Sequence, residues 1–258
     1  MSNKRYLIKK EICELWKSKK ILIIATVSIL IAGISPFLAK YMSDLLSLLA
    51  STSGQEVAIV FPEPVVSDAY AQLFKNISTI GMFVYILAFC GTVVEERKQG
   101  TATLILTKNV TRVSFIACKY IAIFITFLGV YIIMGGIFGL YTTTLFEDFA
   151  LQPFVVSMLS YLLYCFLIIS ITILFSTISK NMSIAAMLSI VVFFVTDLGS
   201  YVPYVGDYLP GSIKTAIIHY IGGVSSRSSL VWLSIENVIG ILLISMISCI
   251  IFNKQESV

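Results

Sequence analysis

Long apolar runs separated by short polar segments are the dominant pattern along this chain. Six runs approach or exceed the roughly 20 residues that a helix needs to cross the hydrocarbon core of a bilayer. They are approximately Ile21–Ala39, Ile77–Val94, Phe115–Leu140, Phe154–Ile178, Ile184–Val205 and Leu230–Phe252. Backbone polar groups must be satisfied within each segment in lipid, so we expect helices. The pattern predicts one all-α, polytopic transmembrane domain over residues 1–258 with six transmembrane helices.

The composition excludes several classes of protein. Apolar residues make up 58 % of the 258 residues and charged residues only 12 %, against about 25 % charged residues in a typical soluble domain. The chain therefore has too few polar residues to coat a soluble globule, and it is too apolar to be disordered. It also lacks a basic arm with interleaved aromatic residues, so we expect no nucleic-acid partner.

The positions of the basic residues predict the orientation in the membrane. Fourteen of the 18 Lys and Arg residues fall on one side of the predicted spans and four on the other. Basic residues concentrate in cytoplasmic connections. We therefore expect the N-terminus, the 95–114 connection, the 179–183 turn and the C-terminus to be cytoplasmic.

The basic segment 1–20 has the spacing of an amphipathic helix. Ile8, Ile12, Leu15 and Trp16 recur on one face of a helix with 3.6 residues per turn. Such a helix lies in the membrane interface with its basic face toward anionic headgroups. The alternative is a positively charged flank that only orients the first span.

The 95–114 connection combines charges, a glycine and an apolar strip. Gly100 and Thr101 are suited to end one helix and cap another. Beyond them Leu104, Ile105 and Leu106 form an apolar strip between basic residues, which is typical of a docking surface. The alternative is that the strip packs against the ends of the protein's own spans.

The second large connection, 206–229, contains Pro210, Gly211 and the apolar stretch Ile213–Ile221. This stretch is too short to span a bilayer but apolar enough to lie at its surface or to re-enter it. We therefore expect an outer re-entrant segment.

Three charged residues fall within the predicted spans. Asp197 and Glu236 are acidic residues in the fifth and sixth spans. Ionisable residues at such positions are candidates for function, so they are candidates for an outer gate, the alternative being that they only reach the headgroups. Lys119 lies one turn inside the third span and is expected to reach back to the interface.

No catalytic, cofactor or metal site is predicted. The closest string to a phosphate-binding loop begins at Gly206, but its Lys214-Thr215 pair comes two residues too late. The chain has one histidine and no Gly-x-Ser-x-Gly string, so neither a zinc site nor a serine nucleophile is expected. We therefore do not expect an enzyme.

Taken together, the six spans, the basic N-terminal helix and the charged connection resemble the permease (transmembrane) subunit of a type-2 ABC exporter of the small bacterial branch. That family has an acidic residue, a Gly-Thr pair, a leucine-rich stretch, a basic residue and a lysine in this order. The matching residues here are Glu95 or Glu96, Gly100-Thr101, Leu104 to Leu106, Arg112 and Lys119. A Pro-Val-Ser-Arg-like string of the family is replaced by Asn109-Val110-Thr111-Arg112.

The resemblance implies an assembly. Segment 96–112 would be a coupling helix seated in a separate ATP-binding cassette subunit, which would itself bind ATP and Mg. Leu104 and Leu106 would supply apolar contact, and Glu95, Glu96, Arg97 and Arg112 would supply orientation and ion pairs. A second permease copy or paralogue would complete the path, with the first and fifth spans lining it.

The expected cargo is hydrophobic or amphipathic, because apolar and aromatic residues dominate the predicted path and no large domain is present to recognise a sugar. The resemblance favours peptide export across the bacterial plasma membrane, including toxins, bacteriocins and antimicrobial peptides, and leaves lipid-like substrates and drugs open. The alternative function is an ion-coupled six-span carrier or a membrane scaffold without an ATPase partner. In a carrier, Asp197 and Glu236 would be central.

Overall fold

The computed structural model describes residues 2–52, 63–101, 110–202, 204, 206–223 and 227–254, and its regular elements are all helices. In this part of the chain, six helical segments are long and apolar enough to cross a membrane, as predicted. They are Lys20–Met42, Val66–Lys98, Arg112–Leu145, Leu151–Ile178, Met182–Gly199 and Ser228–Lys254. We call them the first to sixth spans.

Two span boundaries differ from the prediction. The second span begins at Val66, well before Ile77, because the backbone N–H of Val65 donates to Asp68 Oδ2 at 3.0 Å and caps a helical turn. The fifth span ends at Gly199 instead of Val205. Beyond it, Tyr204 adopts a left-handed backbone with φ of 67°, which a right-handed helix cannot include.

The spans alternate in direction, so the bundle has two distinct ends. The N-terminal end carries the helix Ser2–Lys17, the two sides of the 99–111 connection and the end of the sixth span. The opposite end carries the 146–150 connection and a short helix, Ile213–Ile221, that precedes the sixth span. The expected surface position of Ser2–Lys17 and the re-entrant character of 206–229 stay predictions.

The core lies where the second, third and fourth spans meet. Buried hydroxyl groups join spans across it: Ser28 and Tyr85 lie 2.8 Å apart, as do Ser78 and Tyr161. Hydrogen bonds of this kind hold helices together where the hydrophobic effect between them is weak. The fifth and sixth spans are the least buried of the six and leave most of their apolar side chains uncovered.

Candidate functional site

The N-terminal helix buries a charged residue against the bundle. Of the side chains described on this helix, those of Leu7, Glu11 and Leu15 are buried, and the helix packs mainly on the third span. Ile8 and Ile12 are half-buried, whereas Trp16, placed on the same apolar face by the sequence, is 71 % exposed. The side that meets the protein is therefore rotated from the predicted face and has a carboxylate at its centre.

Lys119 of the third span meets this carboxylate. Its side chain is 1 % exposed, and its ammonium group donates to Glu11 Oε2 at 2.7 Å. The same nitrogen lies 3.0 Å from Glu96 Oε2 at the end of the second span. The expectation that Lys119 reaches back to the interface is thus wrong, because two acidic residues compensate its charge inside the protein.

Lys10 completes this group of charges. Its Nζ lies 2.6 Å from Glu96 Oε1, 2.9 Å from Glu14 Oε2 and 3.1 Å from Glu11 Oε1. Burial lowers the pKa of Lys10, but hydrogen bonds to Glu14 and Glu96 outweigh burial and raise that pKa above its usual value. We call Lys10, Glu11, Glu14, Glu96 and Lys119 the charge cluster. It joins the N-terminal helix to the second and third spans.

The carboxylates of the charge cluster are arranged for ion pairs. Oxygens of Glu11, Glu14 and Glu96 lie within 4.8 Å of one another, a spacing that a metal ion also requires. The ammonium groups of Lys10 and Lys119 already contact these oxygens at 2.6–3.1 Å. The lysines therefore supply the positive charge that a metal would bring.

Two further charged residues before the 99–111 connection, Glu95 and Arg97, also contact their own chain. Glu95 Oε2 lies 3.4 Å from Lys20 Nζ at the start of the first span. Arg97 Nη1 donates to the carbonyl oxygen of Thr177 at the end of the fourth span, at 2.7 Å. Glu95, Glu96 and Arg97 thus fix the end of the second span to four neighbouring elements: the N-terminal helix and the first, third and fourth spans.

Gly100 ends the second span, as predicted, whereas the following helix that Thr101 was expected to cap lies outside the described residues. Gly100 has φ of 69°, in the left-handed region that favours glycine. The Thr101 hydroxyl donates to the carbonyl oxygen of Glu96 at 3.1 Å. On the far side of the connection, Arg112 Nη1 donates to the carbonyl oxygen of Asn253 at 3.2 Å. Leu104 and Leu106 lie outside the described residues.

At the opposite end, Asp197 is neutralised by a partner. Lys214, on the short helix Ile213–Ile221, donates to Asp197 Oδ1 and lies 5.7 Å from the centre of the Tyr201 ring. The turn before this helix packs directly on the fifth span, since a Cβ added at Gly211 would lie 2.2 Å from the carbonyl oxygen of Thr196. Asp197 therefore holds the short helix in place.

Glu236 has a different environment from Asp197. It lines a cavity together with His219, Tyr208 and Trp232, and Asp197 is not part of that lining. Among the side chains that the structure describes, none forms an ion pair with Glu236. The two acids expected to form an outer gate thus have separate surroundings, one paired and one lining a cavity.

The sequence pattern did not predict three members of the charge cluster or the partner of Asp197. Glu11 carried a usable signal, since it lies four residues after Leu7 and four before Leu15 and so shares their face of the helix. A charged residue within an apolar stripe calls for a buried partner. Lys10, Glu14 and Lys214 gave no such signal, because their partners are set by packing between distant elements.

Comparisons with known proteins cover almost the whole chain. The profile of a family described as "ABC-2 family transporter protein" matches residues 5–218. A relative from Bacillus subtilis (strain 168), described as "Uncharacterized transmembrane protein YxlG", is 25 % identical over 253 residues, covering 97 % of each chain. The matched residues include the charge cluster and the Asp197–Lys214 pair.

Proposed function

We propose that this chain, which belongs to the ABC-2 family of transporter proteins, forms the path of an ATP-driven exporter for a hydrophobic or amphipathic cargo. The family supplies the membrane subunits of ABC transporters, so the chain is a permease subunit and a multi-pass membrane protein, and it is not itself the ATPase. The family implies an ATP-binding cassette partner, and membership favours this function over an ion-coupled carrier or a scaffold.

The observation that carries the proposal is the position of Glu96. It stands at the start of segment 96–112, the proposed coupling segment, and it contacts Lys10 and Lys119 through different oxygens. A displacement of the segment by the ATPase would therefore pull on the N-terminal helix and the third span together. Packed elements of this kind move as rigid bodies, which is what coupling to ATP binding requires.

The coupling segment is tested by co-purification. The chain is expressed with the ATP-binding protein encoded beside it and purified in mild detergent, and we expect the ATPase to be recovered in stoichiometric amount. Leu104→Asp with Leu106→Asp should abolish this recovery while leaving the permease folded, because charges would replace the apolar contact. Val65→Asp, a change at an exposed residue of the opposite end, is the control and should retain the ATPase.

Two outcomes would contradict this part of the proposal. One is a native chain that purifies without any ATPase and stimulates none. The other is a double variant that retains the ATPase as well as the Val65→Asp control does. Either result would leave the chain a member of its family. The first would contradict the ATPase partner, and the second would move the docking site away from the 99–111 connection.

The cargo proposal is supported by the apolar and aromatic character of the spans, since the chain contains 17 Phe and 13 Tyr. We favour amphipathic peptides exported by a complex of two permeases and two ATPases. Cells expressing the complex should tolerate more of a membrane-active peptide than cells expressing the Leu104→Asp, Leu106→Asp form. Equal peptide sensitivity of the two strains across a peptide panel would contradict peptide export.

A further inference from the structure

A cavity at the opposite end of the bundle has the size of a ligand site. Its volume is about 760 Å³, within the range of about 300–1,000 Å³ that small-molecule pockets occupy. It lies between the short helix Ile213–Ile221, the turn Gly206–Tyr208 and the first half of the sixth span. Its walls combine apolar side chains such as Leu233 and Ile239 with a few polar groups.

The cavity contains a carboxylate on a membrane-spanning helix. Glu236 is nine residues after Arg227, where the helix begins, so it lies about 13 Å along the axis at 1.5 Å per residue. Ionisable side chains at such positions are costly and are usually paired or functional. Lys214, on the same short helix as the cavity residue His219, contacts Asp197 instead. No lysine or arginine with a described side chain lines the cavity.

Aromatic rings stand beside this carboxylate. Trp232 precedes Glu236 by four residues, so the two side chains share one face of the helix. Tyr208 contributes a second aromatic ring from the turn before the short helix. Indole and phenol faces attract organic cations, and Trp232 and Tyr208 are 72 % and 77 % exposed, so their faces are accessible to a ligand. A negative charge, two aromatic side chains and apolar walls therefore point to one class of ligand.

We propose that this cavity binds an organic cation with an apolar body, with the Glu236 carboxylate as its counter-ion and the Trp232 indole against its apolar surface. The assignment of this cation as cargo rests on the proposed function, since an exporter would release it at this end. Binding itself requires no ATPase, so it is tested on the purified permease alone.

The test measures binding of tetraphenylphosphonium, a monovalent cation with an apolar surface. The purified chain in dodecyl maltoside is dialysed to equilibrium against the labelled cation, and we expect saturable binding. Tetraphenylborate, an anion of nearly the same size and shape, is dialysed separately and should not bind saturably. This comparison uses the native chain and does not depend on the folding of any variant.

Two matched variants test the role of the carboxylate. Glu236→Gln keeps the shape and removes the charge, and it should weaken cation binding about tenfold or more, because the attraction between the carboxylate and the cation is lost. Glu147→Gln makes the same change at an exposed acid of the same end, outside the cavity, and should bind like the native chain. Trp232→Leu should also weaken binding while preserving an apolar wall.

The chain offers an internal probe of the location. It contains two tryptophans, Trp16 and Trp232, and Trp16→Phe leaves the cavity tryptophan alone. Titration with tetraphenylphosphonium should then change the Trp232 emission over the concentration range in which dialysis shows binding. An unchanged emission during saturable binding would place the cation elsewhere and overturn the proposal.

Other results would also overturn it. These are no saturable cation binding, equal binding of the anion, or equal affinity of the Glu236→Gln and Glu147→Gln variants. Complete displacement of the cation by added phosphatidylcholine would assign the cavity to a lipid headgroup. A failure of this cation-binding proposal can be distinguished from a failure of the proposed function, because Glu236→Gln should co-purify with the ATPase whether or not the cavity binds the cation.

Discussion

Lys119 shows how far a single residue can be interpreted from its position in the sequence. Its place one turn inside an apolar run suggests contact with headgroups, yet the structure gives it two carboxylate partners from elements distant in the sequence. The run itself was predictable, because hydropathy is a local property. The partners were not, because Glu11 and Glu96 approach Lys119 only when three helices pack together.

Removal of the Lys119 charge should destabilise the protein. Lys119→Met keeps most of the side-chain volume but deprives Glu11 of its 2.7 Å partner. Breaking a buried ion pair on one side costs about 3–5 kcal/mol, so we expect a markedly lower melting temperature. A thiol-reactive dye reports unfolding through Cys118 and Cys165, which are buried and not in disulfides.

The control for this effect is a double variant. Glu11→Gln combined with Lys119→Met removes both charges of the pair, so part of the lost stability should return. Two results would contradict a stabilising ion pair. One is a Lys119→Met variant with the melting temperature of the native chain. The other is a double variant whose loss of stability exceeds the sum of the losses of the two single variants.

The stability contribution of Glu14 should depend on pH. Burial raises the pKa of Glu14, but the hydrogen bond and charge of Lys10 outweigh burial and lower the pKa below its usual value. A carboxyl with a lowered pKa stabilises the fold above its unfolded pKa, about 4.3, and loses this effect as pH falls through the folded pKa. Glu14→Gln should therefore melt earlier than the native chain at pH 7, with the difference shrinking below about pH 4. Glu147→Gln, a matched loss of charge outside the cluster, should melt like the native chain at pH 7.

At the scale of the element, one helix end was predictable from a glycine and another was not predictable from hydropathy. Gly100 was expected to end the second span, and its positive φ does so. The fifth span was expected to reach Val205, because its apolar composition continues past Gly199. Hydropathy gives no information about the direction of the backbone, and the chain turns there to bring Gly211 against the Thr196 carbonyl.

Gly100→Ala tests whether the helix end also sets the direction of the coupling segment. An alanine at φ of 69° costs about 1–2 kcal/mol, which the chain can relieve by changing the path of the segment. We expect weaker recovery of the ATPase in co-purification. Gly223→Ala is the matched control, because Gly223 has φ of 71° at the opposite end and open space around it. Equal recovery with both variants would show that the backbone at Gly100 does not orient the docking segment.

At the scale of the whole molecule, the two ends differ in what their charges do. The N-terminal end uses the charge cluster to join three elements. Among the residues that the structure describes at the opposite end, Asp197 pairs with Lys214, and Glu236 lines a cavity. The spans and the family motif were predictable from the sequence, since both depend on short stretches of it. The different surroundings of Asp197 and Glu236 were not predictable, because they depend on how the short helix Ile213–Ile221 packs.

The proposed function fixes which end must face the cytoplasm, because ATP is bound there. The distribution of Lys and Arg, fourteen against four, independently predicts that the N-terminal end is cytoplasmic. Green fluorescent protein fused after Val258 should therefore fluoresce. Alkaline phosphatase, which folds only outside the cytoplasm, should be active when inserted between Glu147 and Asp148 in the 146–150 connection and inactive after Val258. The reverse pattern would place the charge cluster and the coupling segment out of reach of any ATPase, and the proposed docking mechanism would fail with it.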